Sequence, residues 1–227
     1  MHRSFAFLSF AVVLAVGCIG ERPREPRASD ATAAGGESGS APAAGAGSPG
    51  ALDVAGTTAP ASGGFSSVVV LEPVSPTDVG AGGPAETAAS PFMDQIANAF
   101  YPPMLVAPVG RPVDFWNSEG VMHNVNVTDD AGGTVFNIAT PPGFESYQHT
   151  FVAPGVYRVS CDIHPNMTAF IVAVSTPYAA VAAPDGTFSI PGVPPGTYRA
   201  SVWSLDAARR VTRAVEIDGA SGALDLR

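Results

Sequence analysis

Residues 160–170 read SCDIHPNMTAF, placing a thiol, an imidazole and a thioether at Cys161, His164 and Met167 with the spacing C-x2-H-x2-M. The chain has only 2 cysteines, 4 histidines and 5 methionines in 227 residues, so three scarce soft donors share one turn. Thiolate and thioether sulfur suit soft or borderline metal ions, and imidazole suits most first-row ions, so the group reads as metal-ligating. The competing chemistry is a cysteine nucleophile with a histidine base, but no third orienting group or oxyanion-stabilising helix start is evident nearby. Structural zinc takes further Cys or His and avoids thioethers. No C-x-x-C-H for haem attachment occurs. A buried, inert thiol is the plain alternative.

The second cysteine sharpens the choice. The chain opens MHRSFAFLSFAVVLAVGCIG, with Arg3 before an apolar run over residues 5–16. That run is too short to span a bilayer and has the length of a signal-peptide core. It ends in LAVGC, which resembles a bacterial lipobox, with Ala15 where that pattern usually has Leu. The resemblance implies a lipoprotein-type signal peptide over residues 1–18, lipidation of Cys18, and a membrane-anchored protein on the periplasmic or cell-surface side. Cys161 is then the sole thiol of the mature chain. In an oxidising compartment it has no internal disulfide partner, so it must be buried and inert, catalytic, or a metal ligand.

Residues 19–64 are mostly Ala, Gly, Ser, Pro and Thr, with Leu52 and Val54 the only larger apolar side chains from residue 21 onward. They read as a disordered tether spanning on the order of 35–40 Å as a flexible coil. Net charge is −9 with no lysine anywhere, which argues against a nucleic-acid partner. The acidity concentrates in residues 65–175, where ten carboxylates face only Arg111 and Arg158. Such a field either keeps the domain soluble or steers a basic partner toward it.

From Phe65 onward, short β-branched and alternating runs end at Pro or Gly: FSSVVVLEP, RPVDFW, VMHNVNV, TVFNIAT, VYRVSC and TAFIVAV. With 25 Gly, 22 Pro and no convincing helix, residues 65–175 read as an all-β domain, a Greek-key β-sandwich. After Thr176 the pattern restarts. Asp185-Gly186 signals a turn, and the following VPPGTY turn suggests a compact β-meander in a small module over residues 176–227. Those residues are few for an independent core, so the module is expected to pack on its neighbour.

Cys161 ends one strand and Thr168 begins another, so the three donors lie in one tight inter-strand loop. A fourth donor must come from a different strand, and His123 in VMHNVNV is the candidate. Two imidazoles, one thiolate and one weak thioether match the donor preferences of a type 1 (blue) copper site. Thereby CDIHPNM with an upstream HNV resembles the cupredoxins, and its loop spacing is similar to the amicyanin type, including Pro165 after the histidine; Ile163 stands where that type has Pro. The resemblance covers roughly residues 90–175. It implies His123, Cys161 and His164 as equatorial copper ligands, Met167 as the axial one, and Asn124 as the residue tying the two ligand loops together. It also implies a docking patch around His164 and Pro165. His149 reads as a surface residue, and Met93, Met104 and Met122 as core or rim.

The C-terminal DGTFSIPGVPPGTYRASVW resembles the carboxypeptidase regulatory-like modules, small transthyretin-like β-sandwiches without catalytic residues. Those modules begin with a strand that the piece lacks, and residues 65–73 would suit it. The expected function is an exported carrier of single electrons between redox partner proteins, not an enzyme, holding one copper. Copper storage or delivery, or a binding module with a vestigial copper loop, stay open as alternatives.

Overall fold

Period-two burial organises the molecule. In β-strands alternate side chains face opposite sides, so runs such as Val113/Phe115, Val125/Val127 and Ala169/Ile171/Ala173 each supply one inner face. The computed structural model describes residues 50–75, 90–219 and 222–227; the apolar leader, Cys18 and residues 19–49 of the expected tether lie outside them. In chain order the strands are β1 (Leu52–Thr58), β2 (Val68–Pro73), β3 (Phe92–Ile96), β4 (Ala99–Tyr101), β5 (Met104–Pro108), β6 (Pro112–Phe115), β7 (His123–Thr128) and β8 (Thr134–Thr140). There follow β9 (Tyr147–Thr150), β10 (Gly155–Ser160), β11 (Thr168–Val174), β12 (Ala179–Val181), β13 (Thr187–Val193), β14 (Gly196–Trp203), β15 (Val211–Ile217) and β16 (Leu224–Leu226). The helical content of the described residues is one 3-10 turn at Ala207–Arg209. The fold is all-β.

Strands β3 to β11 make the first β-sandwich. A five-stranded sheet, β5-β11-β10-β7-β8, faces a four-stranded one, β4-β3-β6-β9. Between them lie Met93, Phe115, Val127, Phe151, Val159 and Ile171, all essentially inaccessible.

The second sandwich is built from both ends of the described chain. Sheet β12-β2-β14-β15 carries Leu71, Tyr198 and Val202 to its core, and sheet β13-β1-β16 carries Phe188, Ile190 and Leu226. Strand β2 pairs antiparallel with β12 and β14, so residues 68–73 join the strands after Tyr178. The first sandwich is thus inserted between β2 and β12. Its entry and exit are fastened together: the Thr176 hydroxyl donates to the Leu71 carbonyl (3.0 Å), and the Leu71 N–H donates to the Tyr178 carbonyl (2.8 Å). A shared cluster of Val68, Met104, Val172 and Val174 lies where the two sandwiches meet, with Phe170 edge-on to Phe65 at 5.0 Å and 5.2 Å from Trp203.

Two expectations need correction. Residues 52–58, assigned above to the tether, form β1, the central strand of its sheet, antiparallel to β13 and parallel to β16. Its sparse apolar content follows from its place. Val54 enters the core, and Gly56 lets the strand lie against the Phe188 ring and the Leu224 carbonyl, where a Cβ would collide with both. The expected meander of residues 187–203 does not form either. β13 and β14 lie in different sheets, because Phe188, Ile190 and Val193 must face Tyr198, Ala200 and Val202 across the core, so the chain crosses over at Pro194-Pro195. The Tyr198 hydroxyl donates to the Pro194 carbonyl at 2.8 Å and fixes that crossing. Asp185-Gly186 does make a turn, with Gly186 at φ +91°, but it joins strands of opposite sheets.

Gly56→Ala tests the role of β1. Overpacking at this contact is expected to destabilise the folded chain by about 1–3 kcal/mol. Chemical denaturation would register it, whereas the same change in a disordered tether would leave the midpoint unmoved.

Candidate metal centre

Alternation along β7 turns His123 inward with Val125 and Val127, and turns Asn124 and Asn126 to the other face. On β10 the same period carries Val159 and then Cys161 inward, and on β11 it aligns Met167 with Ala169 and Ile171. The loop between β10 and β11 is closed by two backbone bonds, Met167 N–H to the His164 carbonyl (2.9 Å) and Cys161 N–H to the Met167 carbonyl (3.3 Å). His123 is fully buried, Cys161 and Met167 nearly so, and His164 half-buried.

These placements bring three donor atoms together. His123 Nδ1 lies 2.9 Å from His164 Nδ1, and Cys161 Sγ lies 4.0 Å from the first and 3.7 Å from the second. The point equidistant from the three lies about 2.1 Å from each, beside typical metal–nitrogen lengths of about 2.0–2.1 Å and metal–sulfur lengths of about 2.3 Å. Two ring nitrogens and a sulfur at such range repel through their lone pairs unless a proton or a cation lies among them. The donor set fits a metal ion. Met167 closes the same loop from inside the core.

Glu119 decides which imidazole nitrogen is free. Its Oε2 accepts from His123 Nε2–H at 2.7 Å, which keeps the ring proton on Nε2 and leaves Nδ1 as a donor to a metal. Partial burial pushes the Glu119 carboxyl up, but the Asn98 N–H, the bond from His123 and the Ala97 N–H outweigh it and hold it below the usual range. Ala97 and Asn98 form the β3–β4 turn, both at positive φ.

Behind His123 a buried polar network joins the two sheets. Gln95 on β3, fully buried, donates to the Asn124 carbonyl (3.1 Å) and accepts from the Thr140 hydroxyl (2.7 Å), and Thr140 is the cross-strand partner of His123. Asn117 donates to the Thr140 carbonyl (2.7 Å) and the Val121 carbonyl (2.9 Å) and accepts from the Glu119 N–H (2.9 Å). Asp94 holds the neighbouring Ser118 by its N–H (3.0 Å) and hydroxyl (2.6 Å). On the other face Asn124 Oδ1 accepts from the Asp162 N–H at 2.6 Å, tying β7 to the ligand loop. The Asp162 side chain accepts from Asn126, Asn137 and Asn124, and those bonds hold its carboxyl below the usual range, the first two leading, against a smaller opposing effect of burial.

Sequence reasoning missed Glu119, Gln95, Asn117 and Asp162. A carboxylate four residues before the strand histidine stands in WNSEGVMH and is the one signal in the chain that points to Glu119. Gln95 and Asn117 act across strands distant in sequence, for which one chain carries no local signal. His149 is not a plain surface residue: its ring packs 4.6 Å from Phe136 and 4.8 Å from Phe151, and burial pushes it down from the ordinary histidine value. Met93 and Met104 are buried in the core, and Met122 is exposed.

No protein-family model matches the chain, and no curated protein matches it. Among solved structures it is similar to a purple cupredoxin of Nitrosopumilus maritimus, 24% identical over 37% of this chain and 100% of that one, with a TM-score of 0.34. It is also similar to an amicyanin variant in its reduced state, 27% identical over 40% of this chain and 88% of that one, with a TM-score of 0.35. A copper-containing nitrite reductase from Thermus scotoductus is 30% identical over 45% of this chain and only 27% of its own length, with a TM-score of 0.33. None of these comparisons supports the resemblance to carboxypeptidase regulatory-like modules.

Removing the Glu119 carboxylate should release the His123 ring without opening the core. Glu119→Ala is expected to weaken binding of a divalent metal such as Co(II) by about 10–100-fold. Competition titration measures this, with thermal unfolding of the metal-free protein as the control that should stay within a few degrees.

Proposed function

We propose that the protein binds one copper ion through His123, Cys161, His164 and Met167 and carries single electrons between partner proteins. The observation that carries this reading is the convergence of two Nδ1 atoms and one thiol sulfur within 4.0 Å, with the tautomer of His123 fixed by Glu119. Bound copper supplies a one-electron couple for which thiolate and thioether favour the reduced ion and imidazole accepts the oxidised one.

The protein's own residues supply rigidity. His123 sits on β7, which is flanked by β8 and β10, and its ring cannot turn without breaking the 2.7 Å bond to Glu119. Cys161 is held by continuation of β10 and by its own N–H, His164 by the 2.9 Å turn bond from Met167, and the whole loop by Asn124. Ligands that scarcely move between two charge states keep reorganisation small, which is what rapid electron exchange needs. Met167 would complete the donor set with its thioether, leaving no position for a substrate, which favours a carrier over an enzyme.

Exchange with a partner takes place at the His164 end. Val121 and Met122 immediately precede His123, Ile163 immediately precedes His164, and each is about half exposed at 46%, 47% and 50%. With Pro165 they form an apolar docking surface beside the ligands, and the acidic surround of residues 65–175 selects a basic partner. Export and a lipid anchor at Cys18 place this carrier on the periplasmic or cell-surface side of a membrane.

The full chain loaded with Cu(II) tests the proposal. One equivalent should give an intense thiolate-to-copper charge-transfer band in the visible spectrum, and Cys161→Ser should abolish it. A parent protein that takes up no stoichiometric copper, or takes it up without that band, rules the reading out.

A further inference from the structure

Asp162, the residue after the thiol, has an unusual setting. Its Oδ1 accepts from Asn126 Nδ2 (2.9 Å), and its Oδ2 accepts from both Asn124 Nδ2 (2.9 Å) and Asn137 Nδ2 (2.8 Å). Asn126 and Asn137 are cross-strand partners on β7 and β8, and Asn124 is on the same face one period along. Asn124 also donates to Asn137 Oδ1 (2.8 Å) while its own Oδ1 takes the Asp162 N–H. All three amides are therefore oriented with N–H groups toward one point. Only an ionised carboxylate accepts from three donors at once; an Asn there would oppose its own NH2 to theirs, and a Ser has one oxygen. Among the described residues these side-chain partners are all neutral, so they fix the charge in place without cancelling it.

Resting on the copper reading above, we propose that Asp162 is the positioning residue of the ligand loop and supplies a fixed negative charge by which the site favours the more highly charged metal state. The loop is held to β7 and β8 by four bonds at the position directly following Cys161. A permanent anion one residue from the sulfur ligand stabilises a doubly charged ion more than a singly charged one, which lowers the reduction potential. A neutral residue at 162 would keep part of the loop anchorage but lose this discrimination.

The test uses the full chain as wild type, Asp162→Asn and Asp162→Glu, with Cu(II) and Cu(I) affinities measured by competition and the reduction potential measured directly. In D162N the Cu(II)/Cu(I) affinity ratio should fall about three- to tenfold and the potential rise, a modest effect because the carboxylate is solvent-exposed. D162E, which keeps the charge, should hold the ratio within about twofold of wild type. Amide exchange at residues 161–164 of the metal-free protein should accelerate in D162N. If three opposed donors prevent D162N from folding, Asp162→Ser carries the same comparison with room for water. An unchanged ratio in the neutral variants, or an equal shift in D162E, overturns the proposal. Wild-type protein that forms no thiolate band with copper refutes the parent reading instead, which the parallel wild-type titration separates.

Discussion

Electron pairs that repel one another must be kept together by the protein that surrounds them. Two imidazole nitrogens at 2.9 Å and a sulfur within 4.0 Å make up such a cluster, and most of the polar structure of the first sandwich can be understood as its restraint. Glu119 holds one ring from behind, Gln95 and Thr140 brace its strand across the gap between sheets, and Asn124 fastens the loop that carries the other two donors. A buried polar group without a partner is costly, so the pairing of Gln95, Asn117 and Thr140 with one another and with strand carbonyls admits few alternative packings. The β-sandwich contributes what a helical scaffold would not: ligands from strands far apart in sequence, with inward direction set by alternation alone.

Much of this was legible in the chain. The spacing of Cys161, His164 and Met167 in one short loop, and His123 on a strand where it alternates with Val121 and Val125, singled out the donors because such residues are scarce here. The all-β class followed from short β-branched runs punctuated by Gly and Pro. The supports were less legible. Gln95 and Asn117 do their work through single side-chain bonds to carbonyls of other strands, and a polar residue inside a predicted strand gives no hint of its partner. Asp162 resembled an ordinary loop acid until three carboxamides were found pointing at it.

The second sandwich shows where composition misleads. LDVAGTT has the small-residue character of a linker, yet its inward residues Val54, Gly56 and Thr58 are buried, with the glycine where ring and carbonyl press closest. A window average cannot separate residues that are small because nothing packs on them from residues that are small because everything does. The Asp185-Gly186 turn taught a related point: turn chemistry fixes a reversal of direction but not whether the two arms share a sheet.

That enclosed strand also governs how the molecule bears load. β1 lies between β13, running opposite to it, and β16, running with it, so a pull along the axis of β1 loads both ladders at once. Hydrogen bonds lying across such an axis resist together in shear rather than unzipping one by one. Tension carried along β1 would meet those two ladders of the second sandwich first.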